Sequence, residues 1–156
     1  MLRPRCTKMV DYSRNNLEWL KRKYSIDKKI NNISIADATK QQWSKFDFVA
    51  SEANLGKPLT SLPPLEILEP MAQELNQLIK DFLINIAKQS SPNLRLCIGI
   101  PAWQIDKNSF KSLPIIDHLE NIGYNLIDFK HINNKQLIYY RPNQTVARQL
   151  IVIKRK

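Results

Sequence analysis

The sequence predicts an α/β domain with a mainly parallel sheet, closed at one side by antiparallel strands. Three observations predict it. Two apolar runs, "FDFVAS" at 46–51 and "LRLCIGI" at 94–100, show almost no alternation, as expected of strands covered by helices on both faces. Segments of helical periodicity alternate with them. Three extended segments then follow one another in the last third of the chain.

The elements read as follows. Residues 9–24, "MVDYSRNNLEWLKRKY", form a helix with Val10, Leu17, Leu20 and Tyr24 near one face and basic residues opposite. "NNISIADA" holds a short strand at 32–36 that ends at Asp37. Pro63 and Pro64 break the chain after "FDFVAS". A long helix follows to about Lys88, with Leu68, Met71, Leu75, Leu78, Phe82 and Ile86 at helical spacing and Pro70 in its first turn. After "LRLCIGI", Ser112 is placed to cap a further helix. Its stripe is Leu113, Ile116, Leu119 and Ile122, and Gly123 stops it. "YNLIDFKHI", "KQLIYYR" and "ARQLIVIKRK" are extended, with a turn at "NNK".

A chain of 156 residues fits one domain with a real core. No apolar run approaches the roughly 20 residues of a membrane helix, and the first residues lack an apolar signal core. The two cysteines, Cys6 and Cys97, are too few for a disulfide framework, and Cys97 reads as a small core residue. Such cysteine usage suits a reducing cytoplasm. Lys and Arg number 24 against 14 Asp and Glu, a net charge of +10. That balance favours a polyanionic partner, of which nucleic acid is the common one; a merely well-charged surface is the plainer alternative. The two histidines, His118 and His131, come with no Cys-x-x-Cys pair, so no metal site is expected. No nucleophile elbow or P-loop is present.

The loop after "FDFVAS" is the most informative stretch. An apolar strand ends at Ser51 and discharges an acid and an amide, Glu52 and Asn54, before Gly56. In open α/β sheets, ligands bind at the carboxyl ends of the strands. Glu52 has a plain alternative as a solvated loop acid, and Asp37 as a strand-end turn residue.

Taken together, "KMVDYSRNNLEWL", "IADATKQQW", "VASEANLGKPL" and "YYRPNQTVARQLIVIKRK" make the chain resemble the second half of a class I S-adenosylmethionine-dependent methyltransferase domain. The narrower likeness is to the THUMP-associated tRNA guanosine methyltransferases and their bacterial relatives. The resemblance runs from about residue 5 to the end, and "SE-x-x-LG-x-PL" and the terminal hairpin are its most specific parts.

The resemblance implies a Rossmann-like sheet of order 3-2-1-4-5-7-6 that lacks its first two strands, so that 1–156 is a single partial domain without a THUMP domain. It implies S-adenosyl-L-methionine as cofactor and RNA, specifically tRNA, as partner. The reaction would be methylation of the exocyclic amine of guanine. By this likeness Glu52, the Ala53 carbonyl and Asn54 fall in the slot of an Asp/Asn-Pro-Pro-Tyr type motif that grips the target amine. Leu55 stands where that motif has its base-stacking tyrosine, and both prolines are replaced. Asp37 and Ala38 fall where an acid receives the cofactor's adenine, and Ser51 ends the strand beside it. Trp103 and Arg141 fall near the substrate, with Tyr139 and Tyr140 beside Arg141. Trp103 suits core packing equally, and the tyrosines suit a strand with a wet aromatic end.

The glycine-rich cofactor turn and the ribose acid have no counterpart here. The chain has three glycines, Gly56, Gly99 and Gly123, and none precedes the first helix. The expectation is therefore a chain that binds the cofactor weakly or not at all alone, because its reading frame is cut short, because the domain is split and a separate amino-terminal half carries the cofactor turn, or because it is a degenerate remnant. The alternatives are a non-catalytic RNA-binding or scaffold remnant and an adenine amino-methyltransferase.

Overall fold

The computed structural model describes residues 4–27, 33–107, 109–133, 136–142 and 144–156, with side chains from residue 7. The chain divides into two compact units, Met1–Asp37 and Ala38–Lys156.

The first unit is built on α1, Pro4–Tyr24. It begins five residues before the expected start. Val10, Leu17 and Leu20 are half-buried, as their spacing predicts, but Tyr24 is exposed. The expected strand at 32–36 does not form: residues 33–36 have no regular structure, and residue 32 lies outside the described residues. Four apolar or small residues without a pairing partner give a strand nothing to gain from its ladder.

The second unit is a mixed sheet with helices on one face. Its elements are β1 (Phe48–Glu52), α2 (Leu65–Gln89), β2 (Arg95–Asp106), β3 (Ser109–Lys111), a 3₁₀ helix (Pro114–Ile122), β4 (Tyr124–Leu126), β5 (Ile138–Tyr139) and β6 (Val146–Arg155). The main sheet runs β1-β2-β6-β4, with β3 on β2 and β5 on β6. Only β1 and β2 pair in parallel; every other pair is antiparallel. The sheet is thus less parallel than the sequence suggests. β6, the last strand, is inserted between β2 and β4 and runs opposite to both. The turn at "NNK" falls largely outside the described residues.

α2 supplies the core. Leu68, Ala72, Leu75, Ile79, Leu83 and Ile86 are buried, a stripe rotated from the expected one, since Leu78 stays exposed. They pack with Leu96, Ile98 and Ile100 of β2 and with Ile151 and Ile153 of β6. Each such aliphatic side chain contributes about 1.5–3 kcal/mol when fully buried. Pro70 lies in the second turn of α2, not the first, because the helix opens at Leu65 directly after Pro64. The next helix is 3₁₀, and Leu113 rather than Ser112 stands at its cap, with no side-chain cap bond. Gly123 ends it in the left-handed region at φ 87°, and a Cβ there would collide with the Arg155 guanidinium.

The other face of the sheet is open around β1. Four of its five residues are exposed, Phe48 at 72%, so β1 is not covered on both faces as its composition implies. Among the described residues it pairs only with β2. Cys97 also points to the open side and is exposed, not core. Apolar character in these residues marks an unpaired edge rather than a doubly covered centre. The side chain of Cys6 lies outside the described residues.

Candidate functional site

β1 delivers Ser51 and Glu52 to its carboxyl end, and the Ala53 N–H donates to the Gly99 carbonyl at 2.8 Å, extending the parallel ladder by one residue. The chain then turns. The Asn54 side-chain oxygen accepts from the Gly56 N–H at 2.9 Å, an Asx turn, and Gly56 takes φ 87°. Leu75 of α2 lies 3.1 Å from where a Gly56 Cβ would sit, so the turn lies close against the helix. Asn54 is thereby engaged in shaping the loop.

Glu52 makes the central contact of the site. Its carboxylate pairs with the Arg148 guanidinium of β6, through Oε1 and Nε. β1 and β6 lie on opposite sides of β2, roughly 9.5 Å apart at ordinary strand spacing. Gly99 is opposite Glu52 on β2 and opposite Leu150 on β6. With no side chain at Gly99, the Glu52 side chain can cross the middle strand. A Cβ there would meet Leu150 at 3.8 Å and the Glu52 Cγ at 3.9 Å. Arg148 was not among the residues singled out from the sequence. The only signal for it is an arginine on the half-covered face of an otherwise aliphatic strand, and its partner is 96 residues away.

Two hollows border β1 and the loop after it, and Arg148 lines the second. The first, about 330 Å³, is apolar and is walled by Trp43, Phe46, Phe48, Val49, Phe82 and Ile86, with Ala38 and Ser51 on its rim. Ala38 and Ser51, both expected near a cofactor, therefore meet at one cavity. The second, about 350 Å³, has a more polar wall and lies between the Leu55–Leu59 segment and Gln144, Thr145, Val146 and Arg148. Leu55, expected at the substrate, lines it.

The wall of the first hollow that carries Ala38 and Trp43 has no regular structure; α2 holds it. The Asn85 amide donates to the carbonyls of Ala38 and Gln41, each at 2.9 Å. Gln89 donates to Gln41 at 3.0 Å and to the Asn85 side-chain oxygen at 2.8 Å, and its own oxygen accepts from the Trp43 N–H at 2.8 Å. These two amides satisfy backbone groups that a sheet neighbour would otherwise pair. Sequence reading missed both, since an Asn on a helix normally reads as a surface residue.

The remaining candidates are dispersed. Asp37 belongs to the first unit. Trp103 lies within β2, is fully enclosed and packs in the core cluster, so it presents no surface to a base. Arg141 donates to the Tyr139 hydroxyl at 3.2 Å and holds that phenol below its ordinary pKa. The Arg141 N–H and carbonyl both bond Gln144, so this turn leads into the wall of the second hollow. Tyr139 and Tyr140 are exposed, and His118 is exposed on the 3₁₀ helix.

Among the described residues no group of three or more His, Cys, Asp or Glu is arranged to hold a metal ion, and no helix is long and apolar enough to cross a membrane.

No family model matches the chain, and no curated protein does. Among solved structures, one of a candidate DNA modification methylase from Thermus thermophilus is similar at a TM-score of 0.46 and 14% identity, over 78% of this chain and 52% of that one. The selenomethionine form of the same protein is similar at a TM-score of 0.37 and 12% identity, over 70% and 44% of the two chains. The chain spans about half the length of these structures or less.

Proposed function

We propose that the chain is the carboxyl-terminal part of a class I S-adenosylmethionine-dependent RNA methyltransferase domain that acts on an exocyclic base amine, guanine in tRNA by the family resemblance. The observation that carries this reading is the sheet order. With β1 taken as the fourth strand of that fold, β1-β2-β6-β4 reads 4-5-7-6, and the last strand is the reversed one inserted before its predecessor. A reversed final strand in that place is a specific topological feature, and the Glu52 loop then falls at the carboxyl end of the fourth strand.

The first hollow fits the adenine part of the cofactor. It is aromatic-walled, apolar and of the size of a ring system, with Ser51 and Ala38 at the rim. Among the described residues no glycine turn for the methionine part and no acid for the ribose hydroxyls is found. When bound, the cofactor supplies a methyl group already activated on a sulfonium.

The chain's own residues would then orient the amine. The Glu52 carboxylate and the Ala53 carbonyl accept its N–H groups and strengthen as positive charge develops on nitrogen. Arg148 fixes the carboxylate across β2. Leu55 and the second hollow face the base on the far side.

The test is methyl transfer from radiolabelled S-adenosylmethionine to unmodified tRNA transcripts, with the chain supplied alone and joined to a half that carries the cofactor turn. Nuclease digestion and mass spectrometry of the product should reveal N2-methylguanosine. N6-methyladenosine would place the site in the adenine class instead. No transfer to any nucleic acid would leave a non-catalytic scaffold.

A further inference from the structure

α1 carries a surface that the methyl-transfer reading does not use. Lys8, Tyr12, Asn16, Trp19 and Lys23 recur at spacings of four, four, three and four, which places them in one stripe along the helix. All five are exposed, Tyr12 at 58% and Trp19 at 51%. The half-buried residues Val10, Ser13, Leu17 and Leu20 lie on a different face. The Lys23 ammonium sits over the Trp19 ring at 4.6 Å from its centroid.

The charges of α1 are sorted around the helix. Its two acids are matched locally: Asp11 pairs with Arg14 and Glu18 with Lys21, each at 3.6 Å. Among the described residues no carboxylate pairs with Lys8 or Lys23. The stripe therefore presents cations at its ends and two aromatic faces between them. Two large aromatics exposed beside unmatched lysines lose apolar contact that a stacked base would restore, while the lysines meet phosphates. From Lys8 to Lys23 the helix rises about 22 Å, close to six base steps of about 3.4 Å each. A membrane-surface helix would instead keep its cations apart from a continuous apolar face. Here the aromatics and lysines share one face.

We propose that this stripe is a docking track for an unpaired RNA strand, with Tyr12 and Trp19 as stacking platforms and Lys8 and Lys23 as phosphate contacts. The choice of RNA rests on the reading above; the track rests on the helix alone.

The test is fluorescence anisotropy of the full chain with a labelled, mixed-sequence single-stranded RNA of about 20 nucleotides, at several salt concentrations. Replacing both lysines, Lys8→Gln with Lys23→Gln, should make the plot of log affinity against log salt less steep by about 1.4, at about 0.7 per phosphate contact on a single strand. The doubly arginine variant should keep the parent slope. Trp19→Ala should weaken binding by about five- to a hundredfold without changing the slope. The charge-matched control, Lys88→Gln with Lys130→Gln, should bind like the parent. The track is refuted if the control loses as much as the stripe variant, if neither stripe variant differs from the parent, or if the parent prefers anionic phospholipid vesicles to RNA. The readout contains no methyl donor, so its failure leaves the role of Glu52 intact, and a failure at Glu52 leaves the track intact.

Discussion

Glu52 and Arg148 form an ion pair across an intervening strand, over the one residue of that strand, Gly99, that has no side chain to obstruct them. Gly99 does not have a left-handed φ. Its contribution is space, so the size of a replacement decides the outcome. Gly99→Ala should keep the pair, because the new Cβ makes only ordinary contacts at 3.8 and 3.9 Å. Gly99→Leu should fill the lane and separate the two groups. The Arg148 Nε–H resonance reports this: slow proton exchange in parent and alanine variant, fast exchange in the leucine variant. The pair is half-exposed and contributes at most about 1 kcal/mol of stability, so its effect should appear in the geometry of the site more than in the melting temperature.

Asn85 should prove a positioning residue. Asn85→Ala leaves the Ala38 carbonyl without its donor, while Gln41 keeps Gln89. Ala38 is exposed, so its carbonyl can turn to water, and the loss should be that of one ordinary hydrogen bond, about 0.5–1.5 kcal/mol. Urea denaturation should show that loss, and the Trp43 emission should shift to the red as the wall of the first hollow loosens. Asn85→Asp should be worse than alanine, since it aims an acceptor at two carbonyls.

Much of this was legible in the sequence. The apolar periodicity of α2 and the stop at Gly123 follow from patterns local to a few turns of chain, and the hairpin of β5 with β6 from the family resemblance. What escaped was non-local. A strand at 33–36 looks plausible by composition, yet strand formation depends on a neighbour that the local pattern does not contain. The apolar run at 46–51 reads as a covered centre because alternation cannot tell a buried strand from an open apolar edge. Cys97 was misjudged for the same reason. Glu52 was legible because it stands at a strand end; Arg148 was not, because only the register of β6 against β2 brings it there.

Tyr124 gives the fold an alkaline weakness. Its hydroxyl donates to the Leu83 carbonyl at 2.8 Å in the core, and burial pushes its pKa up to about 12 against the nearby positive charge of Arg155. The folded protein thus holds this proton more tightly than the unfolded chain, whose tyrosine titrates near the ordinary value of about 10. The stabilisation is complete below about pH 10 and is lost as pH rises toward 12. Between those values the parent should lose stability more steeply than Tyr124→Phe, as followed by denaturant midpoints at stepped pH.

The free edge of β1 should make the chain self-associate, since Phe48 and an unpaired ladder invite another strand. Light scattering should show concentration-dependent oligomers that Phe48→Lys reduces. Hydrogen exchange should be far faster at 33–36 than at 95–99, where β2 is paired on both sides. A monodisperse parent with both segments equally protected would contradict this.

The central claim is that Glu52 orients the amine that is methylated, and single-turnover methyl transfer tests it most directly. Parent and Glu52→Ala are compared at saturating S-adenosylmethionine and tRNA, each in a full-length protein that carries the cofactor turn, and cofactor affinity is measured alongside. Loss of a charge-developing acceptor should cost roughly 3 kcal/mol, about a hundredfold or more in rate, with the cofactor's Kd unchanged. Equal single-turnover rates would contradict the assignment, and so would a rate loss that merely follows a weakened cofactor Kd.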